Sequence, residues 1–256
     1  MTAYYNEHDP FAAAWLRELI KAGQIAPGIV DKRSIEDVRP DELAEFSQCH
    51  FFAGIGGWSH ALRLAGWPDD KPVWTGSCPC QPFSAAGKGD GFADERHLWP
   101  AWDWLIGECK PGVIFGEQVE SAINHGWLDL VQTDLEAKGY AVGAVGLPAA
   151  SVGAPHVRAR TWFVGDSDSK RSQRWKLRLN QKSSQRISIS TSIVGEIWKR
   201  NTEELCFEDD KNRVVEPGTF PLAHGVSARV GRLRGYGNAV VPQVAAEVIR
   251  AYMQCA

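Results

Sequence analysis

Cys49-His50-Phe51-Phe52-Ala53-Gly54-Ile55-Gly56-Gly57-Trp58 is the stretch whose reading decides the fold. Cys49 to Phe52 is an apolar run of strand length. The glycines after it make a turn, and Trp58 to Ala65 has helical spacing and stops at Gly66. Glycines let a ligand approach the backbone, and the start of a helix presents free N–H groups. Such a turn is a weak signal alone, because NAD, flavin and S-adenosylmethionine sites all use one. Here the pattern is Phe-x-Gly-x-Gly-Gly rather than Gly-x-Gly-x-x-Gly, which disfavours a dinucleotide.

The same alternation continues outward. Residues 4–8 predict a short strand ending at Glu7, and Asp9-Pro10 caps a helix from Phe11 to Lys21. Ile29 to Val38 is strand-like, and Pro40 to Phe46 predicts a helical turn. Val73 to Thr75 ends a strand, Trp99 to Cys109 a helix, and Val113 to Phe115 a strand delivering Glu117-Gln118-Val119 to its end. Leu128 to Lys138 is a helix, Tyr140 to Val145 and Thr161 to Val164 are strands, and Gln243 to Met253 is a closing helix. Strands alternating with helices predict a parallel-type α/β sheet. Ligands bind such sheets at the carboxyl ends of the strands, where Glu7, the Gly54 turn, Cys80 and Glu117 would gather.

Gly76-Ser77-Cys78-Pro79-Cys80-Gln81-Pro82-Phe83-Ser84 is the second informative stretch. Its prolines fix φ and remove backbone donors, so the turn is stiff and holds the Cys80 sulfur at the mouth of a site. A structural cysteine in a proline-rich loop, or a Cys-x-Cys metal pair, would read the same way in isolation. No Cys-x-x-Cys pair exists among the six cysteines, so no zinc or other metal is expected, nor are disulfides. No apolar run reaches transmembrane length and the first residues lack a basic start, so no membrane is expected and the chain is expected in the cytoplasm.

The formal charge of −3 is uneven. Lys170 to Arg200 carries nine Lys and Arg against one acid, a local +8 in a chain otherwise at −11. A basic block in an acidic protein suggests a polyanion site, the alternative being a solvated loop. From Asp166 to about Phe220 the hydrophobic pattern breaks down. The expected organisation is a main domain over 1–165 plus 221–256, with a short basic insert over 166–220.

Five motifs in order, Phe52 to Gly57, Pro79-Cys80-Gln81, Glu117-Gln118-Val119, His156 to Arg160 and Gly237 to Val240, resemble those of the DNA cytosine-5 methyltransferases. Phe52-Ala-Gly-Ile-Gly-Gly57 is similar to that family's cofactor motif, and Pro79-Cys80-Gln81 to its nucleophile motif. Glu117-Gln118-Val119 sits where the family has Glu-Asn-Val, and His156-x-Arg158-x-Arg160 where it has Gln-x-Arg-x-Arg. Gly237-Asn238-Ala239-Val240 is similar to the last motif. The departures at Gln118 and His156 keep hydrogen-bonding character and imply weaker structural support. In the family, the ribose and adenine segments follow the glycine motif. Here Trp67 to Pro72 leaves no room for them, whereas Asn6 to Ala12 and Ser34 to Val38 resemble the missing pieces at the N-terminus.

The resemblance implies a Rossmann-like class I S-adenosylmethionine-dependent methyltransferase sheet of rearranged strand order, with 166–220 as a target-recognition insert. It implies Cys80 as nucleophile on carbon-6 of a flipped-out cytosine in double-stranded DNA, and Glu117 as the acid at ring nitrogen 3. Arg160 would hold the carbonyl oxygen, and Arg158 a phosphate or the neighbouring carboxylate. S-adenosylmethionine would be lined by Phe52, Gly54, Ile55, Gly56, Gly57, Glu7, His8, Ser34, Ile35, Pro79, Leu98, Asn238 and Ala239. Its adenine would be met by Ser34, or by Asp31 on another register. Gln81, Ser84 and Arg96 would face DNA. The chain would act as a monomer without an obligate protein partner, in restriction–modification or in protecting a phage genome. The competing readings are an RNA cytosine methyltransferase, a catalytically inactive DNA-binding relative and, more distantly, a NAD oxidoreductase.

Overall fold

The computed structural model describes residues 3–79, 98–154, 156–168, 205–208, 211–214 and 237–255, with backbone alone at 123–125 and over the two strands between 205 and 214. Seven strands form one sheet: β1 (Ala3–Asn6), β2 (Gly28–Asp31), β3 (Gln48–Phe51), β4 (Val73–Gly76), β5 (Val113–Val119), β6 (Ala141–Pro148) and β7 (Ala159–Asp166). Their order is β2-β1-β3-β4-β5-β7-β6. The first five are parallel, and β7 runs antiparallel to both β5 and β6. The sheet is therefore mixed, which corrects the expectation of a parallel-type sheet. β5 and β7 are also longer than the short hydrophobic cores that marked them. A two-stranded hairpin, β8 (Leu205–Glu208) with β9 (Lys211–Val214), lies where the sequence offered no pattern.

Helices cover both faces. Tyr4 and Tyr5 are both buried but enter different clusters, as successive residues of a strand must. On one face lie α1 (Pro10–Lys21), α2 (Gly57–Ala65) and α5 (Pro242–Cys255), contributing Leu16, Leu62 and Ile249. On the other lie α3 (Trp99–Cys109) and α4 (Trp127–Ala137), where Trp99, Trp102 and Trp127 meet Phe163. Burying aromatic side chains of this size contributes roughly 1.5–3 kcal/mol each. Asp9 starts α1 by accepting from the amides of Phe11 and Ala12 at 2.9 and 3.0 Å, with Pro10 in the first position. The segment expected as strand to Val38 leaves the sheet after Asp31 and forms a 3-10 turn over Ile35–Asp37.

Strand register positions the site. Asn6, Phe51, Gly76 and Gly116 lie in one row across β1, β3, β4 and β5. One residue further along each strand come Glu7, Phe52, Ser77 and Glu117, a row at the carboxyl edge of the sheet. No helix among the described residues is long and apolar enough to cross a membrane.

Candidate active site at the carboxyl edge of the sheet

Glu117 is buried, and its Oε1 receives Arg160 Nε at 2.8 Å. The register explains the pair. Glu117 opposes Trp162 on antiparallel β7, so Arg160, two residues away on the same face, is its diagonal neighbour. Burial pushes the Glu117 carboxyl above the usual carboxylate range, while Arg160, a hydrogen bond from Ser77 and the charge of Arg158 pull the other way. A buried carboxylate with one arginine on it can hold or release a proton beside a polar ring. Gln118 Nε2 donates to the Cys78 carbonyl at 3.2 Å, and its Oε1 accepts from its neighbour's amide, Val119 N. The longer glutamine thus anchors the turn that leads into Cys80, and the expected loss of support is not what its bonding describes.

Arg158 lies in the turn just before β7. Its Nη2 donates to the carbonyls of Gly237 and Ala239, at 2.8 and 2.7 Å. Its hydrogen bonds go to these carbonyls rather than to Glu117, so it ties the last motif to the strand that carries Arg160. Its φ of +35° is rare for a residue with a side chain, and the two bonds hold it there. Burial and the like charge of Arg160 lower its proton affinity. His156 is exposed, as is Asn238, and Ala239 is half-buried.

Glu7 closes the other end of the row. Its Oε1 accepts from Asp9 N at 2.8 Å and its Oε2 from Gly54 N at 2.6 Å. Burial pushes its carboxyl upward, against both of those bonds. The glycine turn divides by role. A Cβ at Gly54 would meet nothing within 4 Å, so the backbone there is open to a ligand. A Cβ at Gly57 would lie 2.5 Å from Val240 Cγ2, and one at Gly56 would crowd Ile25 and Leu16. Gly56 and Gly57 therefore serve close packing, with Ile55 half-buried between Gly54 and them. Phe52 has φ +51° and sits edge-on to Trp102.

Of the remaining expected ligands, His8 Nδ1 pairs with the Lys32 carbonyl at 3.1 Å, and Ser34 Oγ donates to Glu36. Ile35 is buried in the core beside Phe51. Asp31 is committed to Tyr4 and Arg33, at 2.8 and 2.7 Å, which leaves Ser34 as the side chain next to the row with fewer ties. Pro79 and Leu98 are half-buried and flank the stretch that begins at Cys80. Cys80, Gln81, Ser84 and Arg96 lie outside the described residues, as does the basic run from Lys170 to Arg200. Ser77 and Trp58 were not singled out by sequence. A serine in a turn and an aromatic in an apolar helix carry no signal until their partners are known.

The site is thus a row of two carboxylates, Glu117 buried and Glu7 half-buried, at the strand ends of a doubly wound sheet, with an open glycine between them. That arrangement defines an α/β protein with its candidate site at the carboxyl ends of the strands, where such sheets bind their ligands. Residues 67–214, more than half of the chain, match the family model described as C-5 cytosine-specific DNA methylase, and the chain belongs to that family. Among curated relatives, the type II methyltransferase M.AluI of Cellulosimicrobium cellulans is 34% identical over 116 residues, 40% of this chain and 22% of that protein. M.HhaI of Haemophilus parahaemolyticus is 31% identical over 99 residues, 37% of this chain and 30% of that protein. The match thus spans less than a third of either relative. Among solved structures, a DNMT2 mutant of Spodoptera frugiperda aligns with TM-score 0.42 and 14% identity, covering 66% of this chain and 51% of that one. The Dnmt2 methyltransferase of S. pombe aligns with TM-score 0.40 and 13% identity, covering 65% and 51%.

Proposed function

We propose that this chain transfers a methyl group from S-adenosylmethionine to carbon-5 of cytosine in duplex DNA, through a covalent adduct with Cys80. The observation that carries the reading is the buried Glu117–Arg160 pair at 2.8 Å, one strand away from the Pro79 turn that leads into Cys80. Carbon-5 of cytosine is a poor nucleophile, and the base must leave the duplex at a cost of a few kcal/mol. The Cys80 thiolate would add to carbon-6, and Glu117 would give a proton to ring nitrogen 3, so that electron density reaches carbon-5. Arg160 would hold the carbonyl oxygen and take up its growing negative charge. After methylation, loss of the proton from carbon-5 expels the thiolate and restores the aromatic ring.

The donor set fits the proposed cofactor. S-adenosylmethionine would supply the electrophilic methyl group. Glu7 would accept from its ribose hydroxyls with lone pairs left over from Gly54 and Asp9, and Phe52 would stack on its adenine. The open backbone face at Gly54 would admit it. We also infer that the N-terminal strand–helix–strand unit, β1-α1-β2, supplies the ribose and adenine side of the site from a rearranged position. Its support is the order β2-β1-β3 and the bond from Gly54 to Glu7. The range 166–220, which includes the hairpin β8-β9, would read the target and neutralise phosphates with its Lys and Arg.

Bisulfite sequencing of DNA from cells expressing the protein tests this reading. Cytosines resistant to conversion in a sequence context, lost with Cys80→Ala, are expected. DNA that converts fully with the wild-type protein present overturns it.

A further inference from the structure

Ser77 joins the two halves of the site. Trp58 Nε1 lies 3.0 Å from Ser77 Oγ. An indole nitrogen can only donate, so Ser77 must accept this bond, which leaves its own hydrogen to give to the Glu117 carboxylate, whose proton affinity Ser77 lowers. The hydrogen-bond chain therefore has one polarity, from Trp58 through Ser77 to Glu117, with Arg160 donating from the far side.

Trp58 is a stiff origin for that chain. It opens α2 directly after the glycine turn and is 2% exposed. Its ring stacks over Phe115 at 6.3 Å and stands edge-on to Trp162 at 5.6 Å. Phe115 is two residues before Glu117 on β5, and Trp162 is two residues after Arg160 on β7. The indole is thus wedged against both strands that carry the ion pair, and cannot swing away without moving them.

We propose that Ser77 is a positioning residue that fixes how Glu117 is aimed, anchored through Trp58 to the helix of the cofactor turn. The inference rests on Glu117 acting as the acid. Among the described residues the charged groups facing Glu117 are Arg160 on β7 and Arg158 in the turn before it. Ser77 on the β4 side adds a neutral donor, and no charged group of α2 is among them. A donor to the ionised form favours ionisation, so burial is left less opposed when the hydroxyl is removed.

The test uses the full chain with Ser77→Ala, Ser77→Thr and Trp58→Phe, each checked for unchanged far-ultraviolet circular dichroism and a cooperative thermal transition. Two quantities are read: the Glu117 carboxyl titration by carbon-13 NMR of the free protein, and the pH profile of labelled methyl transfer to plasmid DNA. Ser77→Ala should raise the titration midpoint, and the pH at which turnover falls on the alkaline side, by about one unit. Ser77→Thr should restore both, and Trp58→Phe should give a smaller shift of the same sign. An unmoved midpoint in Ser77→Ala, or a threonine variant that fails to restore it, overturns the inference. A shifted midpoint in a protein whose wild type methylates no DNA would leave the positioning role standing and remove the proposed function instead.

Discussion

Glu7 accepts the amide of Gly54 at 2.6 Å across a sequence separation of 47 residues. That bond ties the N-terminal strand–helix unit to the glycine turn. Glu7→Ala leaves the amides of Gly54 and Asp9 without their acceptor. A stability loss of about 1–3 kcal/mol is expected in urea unfolding. S-adenosylhomocysteine affinity by calorimetry should fall at least tenfold, an order-of-magnitude estimate equal to about 1.4 kcal/mol. Unchanged affinity in a destabilised protein would separate Glu7 from the cofactor.

Arg158 separates two roles, holding the last motif and meeting a phosphate. Its bonds to Gly237 and Ala239 are charge-assisted, each worth about 1.5–3 kcal/mol. Arg158→Ala should weaken S-adenosylhomocysteine binding by releasing the last motif, with the salt dependence of DNA binding unchanged. A lower salt slope with cofactor affinity intact would restore the phosphate role.

Gly57 tests the same motif from the opposite side. A Cβ there would stand 2.5 Å from Val240 Cγ2. Gly57→Ala should cost about 1–3 kcal/mol by overpacking. Adding Val240→Ala should recover part of the loss, a non-additivity expected only if the two residues touch. Strictly additive losses would show that the contact is absent.

These contacts mark where sequence reading stops. The strand, glycine turn and helix over 49–65 were legible because each signal is local. So was the cap at Asp9-Pro10. Direction was not: Thr161 to Val164 looks the same in a parallel or an antiparallel strand, and only the pairing of Glu117 with Trp162 makes Arg160 a diagonal neighbour. Arg158 reaches carbonyls 79 and 81 residues away, and no spacing rule points there. Ser77 reads in sequence as part of a stiff turn, yet its meaning comes from Glu117, brought beside it when β4 and β5 pair, and from Trp58, brought there when α2 packs on the sheet.

His50 supplies a pH test of the fold beneath the site. It is buried between Thr75 Oγ1 at 2.7 Å and Gln48 Oε1 at 3.3 Å, and burial lowers its pKa from 6.5 to about 3. The folded value lies below the unfolded one, so the unfolded chain takes up a proton first as pH falls. Its contribution is fully present above about pH 6.5 and is lost toward pH 3, at up to about 1.4 kcal/mol per unit. His50→Gln should make the acid-side loss of unfolding free energy shallower by one proton. An unaltered slope between pH 4.5 and 6.5 would mean that His50 is not held neutral.

The proposed chemistry turns on a bond between the Cys80 sulfur and carbon-6 of a cytosine. Duplex DNA substituted with 5-fluorocytosine blocks the final elimination, because the fluorine cannot leave as a proton does. Incubated with S-adenosylmethionine, the wild-type protein should form a denaturant-resistant complex with such DNA, and Cys80→Ala should form none. A protein that methylates unsubstituted DNA yet never becomes trapped, or an adduct that persists in Cys80→Ala, would contradict the account.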